Sequence, residues 1–223
     1  MTGGILLEYI NEEHSALQEE VTTSESVPQP EKAEQKPISR AKKIYRDARD
    51  LFVVMAAFML VYVLFFRAVV VVGNSMYDTL KDGDRLLLIS NVLYRNPERG
   101  DIIVASKDSF RNGECIVKRV IAVEGDTVDI DFNTGIVYVN GQALEEDYVF
   151  TPTVDPEGVR FPLTVEPGCV FVLGDNRGDS TDSRSPIIGQ IDKREILGRV
   201  FFLLIPGVGS DGTREFNRIG VIN

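Results

Sequence analysis

The single histidine of this 223-residue chain, His14, lies in an acidic N-terminal stretch. A folded domain built from the remaining residues therefore has no imidazole base and no multi-histidine metal site. Serine-based nucleophilic chemistry then needs a carboxylate or a lysine as proton acceptor. Ser75 stands in GNSMYDTL (73–80), directly after a long apolar run. Lys118 is embedded in CIVKRVIAV (115–123), an otherwise apolar, strand-like segment. Alternation by two puts Lys118 on one face with Ile116, Val120 and Ala122, which is normally a core face. A lysine there must be partnered or give up its proton. Its ordinary pKa of about 10.4 falls by about 3–5 units on full burial, giving a neutral amine that can act as a general base. An edge-strand lysine reaching water fits the same spacing. Arg119, on the opposite face, reads as an ion-pair residue. A third polar segment, GDNRGDSTDSR (174–184), follows the strand-like CVFVL and is too polar to be core. It can pair its own arginines and aspartates as a capping loop, or its serines can orient an uncharged lysine amine.

The elements that position these residues are legible from hydrophobic patterning. Leu51 to Phe66 is a run of 16 residues without a charge, and after Arg67 the segment AVVVV extends it to Val72. A membrane span needs about 20 such residues, so residues 51–72 are expected to form one transmembrane helix, with Arg67 snorkelling to the far interface. The alternative is a buried helix of a soluble domain. The preceding basic flank, residues 40–50 with Arg40, Lys42, Lys43, Arg46 and Arg49, places the N-terminus in the cytoplasm by the positive-inside rule. Residues 73–206 are then an extracytoplasmic domain at the cell membrane, attached by a single pass. From residue 84 the pattern is β: DRLLLIS, GDIIVAS, CIVKRVIAV and CVFVLGD are short runs of branched apolar residues bounded by turn formers. TVDIDF and GIVYVNG join through Asn133-Thr134-Gly135 as a hairpin. Residues 142–168 are expected to be an irregular insertion. The fold class is mostly β: antiparallel sheets forming a partly closed, barrel-like domain after one transmembrane helix and a disordered acidic tail.

The net charge of −10 argues against nucleic-acid binding, which requires clustered Lys and Arg. Residues 1–39 carry eight glutamates against two lysines, and 22–39 hold three prolines, a composition that stays unfolded as a cytoplasmic linker. Ahead of it, GILLEYINEEHSALQ can form a short helix that docks on a cytoplasmic partner or frays in solution. Cys115 and Cys169 each begin an apolar run. They can bridge, but two isolated cysteines in such runs are more often buried thiols. Residues 207–223 read as a flexible C-terminal tail, its GVGSDG lacking the βαβ context of a dinucleotide site. Ser39 and Lys42 fit S-x-x-K, yet lie in the basic flank without the companion motifs of that chemistry.

Taken together and in this order, GNSMYDTL, RGDIIVAS, CIVKRVIAVEGDTV and GDNRGDSTDSR resemble the signature boxes of type I signal peptidases. These are membrane-bound serine endopeptidases that remove signal peptides from exported preproteins. The resemblance spans about Leu51 to Pro206 and is of the Gram-positive-like bacterial branch. It implies Ser75 as nucleophile, Lys118 as general base and Ser180 as the hydroxyl that positions the amine. It further implies an Asp182–Arg184 ion pair beneath the site, Asp175 as partner of Arg119, and Gly174 as the small residue leaving room beside the lysine. Met76 is implied as a substrate-binding residue, and the backbone N–H of Ser75 as an oxyanion donor. Preproteins and the lipid bilayer are the implied partners; no metal or cofactor is implied. Asp78 and Glu124 stand where the family usually has prolines. Gly73 stands where some bacterial members carry a second oxyanion donor, which leaves that donor unassigned. The GNSM…KDGD stretch is also similar to the soluble self-cleaving repressor and mutagenesis proteins of the DNA-damage response, which lack GDNRGDSTDSR. A third reading is a membrane-anchored β-domain whose boxes are vestigial.

Overall fold

The computed structural model describes residues 39–111, 113–209 and 212–222. The acidic tail and its docking helix lie outside them. Two compact units divide the chain, Met1–Asp50 and Leu51–Asn223.

Helix α1 spans Arg40–Phe65. Ser39 caps it, its hydroxyl accepting the Lys42 N–H and its carbonyl accepting the Lys43 N–H at 3.1 Å, so the S-x-x-K serine serves the helix terminus. No glycine or proline interrupts its 26 residues, which rise about 39 Å at 1.5 Å each. None of them is buried, and an 18-residue window has a mean hydropathy of 2.0. By length and composition α1 can cross a membrane. It is shorter at its C-terminus than the 51–72 helix expected from the sequence. Phe66–Val70 forms strand β1 instead, and Arg67 is a strand residue. The valine-rich run loses rotamer freedom in a helix and gains a full ladder here, from Phe66 opposite Ile89 to Val70 opposite Arg85.

The remaining strands are β2 (Arg85–Ser90), β3 (Ile102–Ser106), β4 (Cys115–Val123), β5 (Thr127–Asp131), β6 (Ile136–Val139), β7 (Gln142–Ala143), β8 (Leu163–Thr164), β9 (Cys169–Leu173), β10 (Ile191–Asp192), β11 (Ile196–Ile205) and β12 (Gly220–Val221). The main sheet runs β1-β2-β11-β3-β4-β9-β10, with β12 added to β11, and a second sheet runs β7-β6-β5-β8. Every strand pairing is antiparallel. The sheets are antiparallel and incompletely closed, as expected: β1 and β10 remain edges. The hairpin at 132–135 joins β5 to β6, with Gly135 at a positive φ of 76°.

Strand β4 is central. Its residues from Ile116 to Ala122 are nearly all buried, because both of its faces are covered. Val120 packs in one cluster with Ile103, Val172 and Ile191. A register shift between Val120 and Ala122 passes Ile121 and Ala122 to a second cluster around Phe171 and Val139. A third cluster, with Val71, Met76, Leu80 and Leu86, lies beneath the 71–84 loop.

Two expectations are corrected. Cys115 and Cys169 are free thiols as favoured, but they are not buried, the first being exposed and the second half-buried, since each stands at a strand's first residue rather than its middle. The C-terminal segment, where described, is docked rather than loose. Strand β12 pairs with Phe202 and Leu203 of β11, and Ile222 packs against the cluster beneath the 71–84 loop.

Phe171 is fully buried and makes an edge contact with Phe161, ring centroids 5.8 Å apart. Phe171→Ala is expected to cost about 3–5 kcal/mol, read as a lowered chemical-denaturation midpoint with an unchanged slope.

Candidate active site

Residues 71–84 leave the sheet after β1 and return to it at β2. The Val71 N–H donates to the Asp84 carbonyl at 2.8 Å, and the Gly83 N–H donates to the Val71 carbonyl at 2.9 Å, closing the loop's base. Met76 and Leu80 sink into the core, so the intervening turn has little freedom. Ser75 sits at its top, its carbonyl accepting the Asn176 N–H at 3.0 Å. This bond couples the loop to the segment after β9.

Lys118 lies on β4, only 4% exposed. Its Nζ is 2.7 Å from Ser75 Oγ and donates to the Val117 carbonyl at 3.0 Å. Burial lowers its pKa to about 8, against the opposing pull of Asp182, Asp175 and Glu157. The amine therefore has an appreciable uncharged fraction near neutral pH. A lysine on an edge strand reaching water is excluded by this burial.

The 174–184 segment closes the pocket behind the amine. A side chain at Gly174 would put its Cβ 2.5 Å from the Ser75 carbonyl oxygen and closer still to Ser180 Oγ, so only glycine fits. Ser180 lines the same cleft as Lys118, but its hydroxyl donates to Asp182 Oδ2 at 2.9 Å. Among the described residues the lysine amine makes its hydrogen bonds to Ser75 and Val117, so the Ser180–amine bond implied by the sequence is not formed. The carboxylate of Asp182 draws the hydroxyl because it is the stronger acceptor.

Asp182 also accepts from the Gly174 N–H at 3.1 Å and from Arg184 Nε at 2.9 Å. Arg184 is fully buried. It reaches the carbonyls of Arg177 and Asp155 and the carboxylate of Glu157 at 3.0 Å. On the other side, Arg119 clasps Asp175 through Nε and a terminal nitrogen at 2.9 and 2.8 Å, and donates to the Gly100 carbonyl. Its guanidinium lies 4.0 Å from the Tyr148 ring centroid. The structure thus brings Ser75, Lys118, Gly174, Asp175, Arg119, Ser180, Asp182 and Arg184 together in hydrogen-bonded groups joined through the backbone at 118–119 and 174–176.

Several members of these groups are invisible to motif reading. Arg177, 1% exposed, bonds the Gly174 carbonyl and both carboxylate oxygens of Glu146. Glu157 has its carboxyl pushed up to about 7, by burial first and by Asp182 next. Both glutamates come from the 142–168 insertion, whose spacing to the loop follows no local period. Thr79 donates to Asp175 Oδ2 at 2.6 Å. The sequence let the loop's arginines pair with the loop's own aspartates, so nothing in it pointed to Glu146 as the partner of Arg177.

A cleft of about 410 Å³ opens beside Ser75 and Lys118. Val69, Val71, Met76, Val104, Ile116 and Val117 give it apolar walls. Met76 therefore lines the cleft while also belonging to the core. The cleft is flanked by two strand edges. β9 pairs with β4 only from Arg119 onward, leaving Cys115–Lys118 without a neighbour on that side, and β1 is the sheet's terminal strand. Among the described residues no three His, Cys, Asp or Glu side chains converge as metal ligands would. The two replaced prolines are accommodated by polar contacts: Glu124 accepts the Gly168 N–H at 2.9 Å and pairs with Lys193, and Asp78 lies 3.6 Å from Lys81.

Comparison with known proteins resolves which chemistry this constellation belongs to. The family model described as signal peptidase, peptidase S26, matches residues 45–205, well over half of the chain. The chain belongs to the signal peptidase family. The signal peptidase I of Bacillus licheniformis is 32% identical over 181 residues, covering 78% of this chain and 95% of that protein. A probable signal peptidase I-1 of Synechocystis is 38% identical over 142 residues, 60% of this chain and 68% of its own length. A crystal structure of a signal peptidase I from Enterococcus faecalis has 34% identity, covering 47% of this chain and 96% of that one, with a TM-score of 0.39. As a member of this family the chain is a type I signal peptidase enzyme, a serine peptidase that processes signal peptides, and preproteins are its substrates. The similarity to self-cleaving repressors is thereby set aside.

Keeping the amine dry has a thermodynamic consequence. A lysine that titrates near 8 in the folded enzyme and at its ordinary value when unfolded penalises the folded state. The penalty is fully present below about pH 8 and vanishes as pH rises past the unfolded value. Lys118→Met is accordingly expected to stabilise the domain by roughly 2–3 kcal/mol at pH 7. The gain should shrink steadily above pH 8, measured by denaturation at a series of pH values.

Proposed function

We propose that this signal peptidase is a membrane-anchored endopeptidase that cuts after small residues through a Ser75–Lys118 dyad and an acyl-enzyme. The observation that carries the reading is the 2.7 Å contact between Ser75 Oγ and an amine whose pKa burial lowers to about 8. An amine of that basicity is matched to proton transfer near neutral pH.

The chemistry follows from the contact. Neutral Lys118 accepts the Ser75 hydroxyl proton as Oγ bonds to the scissile carbonyl carbon. The carbonyl oxygen takes the negative charge and is met by the Ser75 backbone N–H. Collapse breaks the C–N bond, and the lysine ammonium hands its proton to the departing amine. Water then adds to the acyl carbon, losing a proton to the Lys118 amine; collapse breaks the C–Oγ bond, the ammonium returns the proton to Ser75 Oγ, and the carboxylic acid leaves. Gly174, Ser180, Asp182 and Arg184 hold the far wall of the amine pocket. Asp175 and Arg119 tie that wall to β4.

Substrate specificity fits the walls. The apolar cleft admits small side chains ahead of the cut, and an extended cleavage segment can pair with the free edges of β1 and of Cys115–Lys118. Anchoring rests on α1. Its uncharged part, Leu51–Phe65, rises about 22 Å, short of the ~30 Å hydrocarbon core. The exposed Val70 and Val72 continue its apolar surface, so the domain itself rests on lipid. The basic flank of α1 faces the cytoplasm and the catalytic domain lies outside, in a single-pass arrangement. A cytoplasmic partner for the N-terminal tail belongs to the same reading.

The test uses the full chain in detergent with a signal-peptide substrate bearing Ala before the cut. Rate should climb with pH along an acidic limb centred near 8, because the uncharged amine is the active form. Ser75→Ala and Lys118→Ala should each abolish processing. Retention of near-normal turnover by either variant would remove the dyad.

A further inference from the structure

We propose that the C-terminal segment is a strap that holds the Ser75 loop in register with Lys118, and that Arg218 is its positioning residue. The inference rests on the reading of Ser75 as the nucleophile and extends it to a part of the chain outside residues 45–205, the span of the family match.

The Ser75 loop has two ends, and they are secured differently. Near Ser75 the ties are the Asn176 N–H to the Ser75 carbonyl and the Gly73 N–H to Asp82 at 2.8 Å. At the other end the tie is Asp84, 0% exposed. Its carboxylate accepts the Lys81 N–H at 2.8 Å, the Gly207 N–H at 2.7 Å, and two guanidinium bonds from Arg218 at 2.7 and 3.1 Å. All but the first come from the C-terminal segment. Arg218 also donates to the Thr79 carbonyl at 3.2 Å. The hydroxyl of Thr79 in turn donates to Asp175, which holds Arg119, the neighbour of Lys118 on β4. A line of hydrogen bonds therefore runs from Arg218 through the loop to the strand carrying the amine. Glu215 adds an ion pair to Lys81 at 2.9 Å.

Arg218 can bear on the loop because its own segment is fixed. β3 pairs with β11 only as far as Arg199. β12 takes over beyond it, against Phe202 and Leu203, and the Ile222 N–H donates to the Phe201 carbonyl at 3.1 Å. The guanidinium is thus delivered from the sheet's own edge. Withdrawing it leaves a buried carboxylate without its counter-charge, a strain that favours moving Asp84 and its loop toward water over holding the acid protonated in place. The catalytic contact is sensitive to such motion, because displacement by about 1 Å can cost 100-fold in rate. Three of the cleft walls, Val69, Val104 and Ile116, lie on β1, β3 and β4 and make none of these bonds, while Val71 and Met76 belong to the loop itself. Loss should therefore appear more in turnover than in binding.

The experiment compares full-length wild type, Arg218→Ala, Arg218→Lys and Ser75→Ala in detergent. It measures kcat, KM, the pH–rate limb and the fraction of folded enzyme. Arg218→Ala is expected to lose about 10- to 100-fold in kcat per folded molecule, with KM changed less than about twofold. Its acidic limb should move up toward the ordinary lysine range as water reaches the amine, and Arg218→Lys should recover most of the rate. A kcat for Arg218→Ala within about twofold of wild type overturns the strap; so does a loss accounted for wholly by unfolded protein with the limb unmoved. Ser75→Ala separates the two levels. If it is inactive while Arg218→Ala is normal, the strap alone fails; if it processes substrate like wild type, the underlying peptidase reading fails.

Discussion

A lysine amine whose pKa is held near 8 although acids surround it is the constraint on which this site depends. Burial alone favours the neutral form, but Asp175, Asp182 and Glu157 all pull the other way. A single uncompensated carboxylate about 5 Å away at an effective dielectric of 20 would be worth ~3 kcal/mol, or about two pKa units. That would undo most of what burial achieves. The structure avoids it by giving each aspartate its own arginine: Asp175 is clasped by Arg119 and Asp182 by Arg184. The acids hold the pocket's geometry as neutral pairs, and the amine is left with a hydroxyl and a carbonyl. Buried ion pairs contribute little net stability, so their presence here is better understood as charge control.

The same logic explains why so much irregular chain surrounds a β-domain's centre. Arg177 and Arg184 are both fully buried, and sheet ladders cannot satisfy two guanidinium groups. The 142–168 insertion brings Glu146, Thr153, the Asp155 carbonyl and Glu157 to them. With these in place, no described buried side-chain polar atom lacks a partner. The insertion's apolar residues Leu144, Phe161, Leu163 and Val165 join the cluster around Phe171, while its polar residues complete the network behind Lys118.

Strand positions and the order of the polar segments were readable because they depend on local pattern. Branched apolar runs ended by Gly and Asp mark β2, β3, β4 and β9, and the lone lysine in β4 stood out against them. What could not be read depended on distant pairings. The 51–72 run looked uniformly helical, and only the partnership of Phe66–Val70 with β2 turned its end into a strand. Residues 207–223 looked loose because Gly207 and Gly209 carry no side chain, while the acceptor that fixes Gly207, Asp84, lies 123 residues earlier. Ser180 was expected at the amine; the competing acceptor, Asp182, is only two residues on, but its orientation is set by Arg184 and Gly174. Glu157 had no sequence signal at all.

The short passage from α1 into β1 also works as a ruler. Helix α1 ends at Phe65 and β1 covers Phe66–Val70, a contour length of about 16 Å at 3.3 Å per residue. A preprotein helix lying beside α1 would have to cross the same length before its scissile bond meets Ser75. Coiled at 1.5 Å per residue it would need about ten residues to do so; unwound, about five. On the reading proposed above, the span between a substrate's apolar stretch and its cut would be selected by length as well as by residue size.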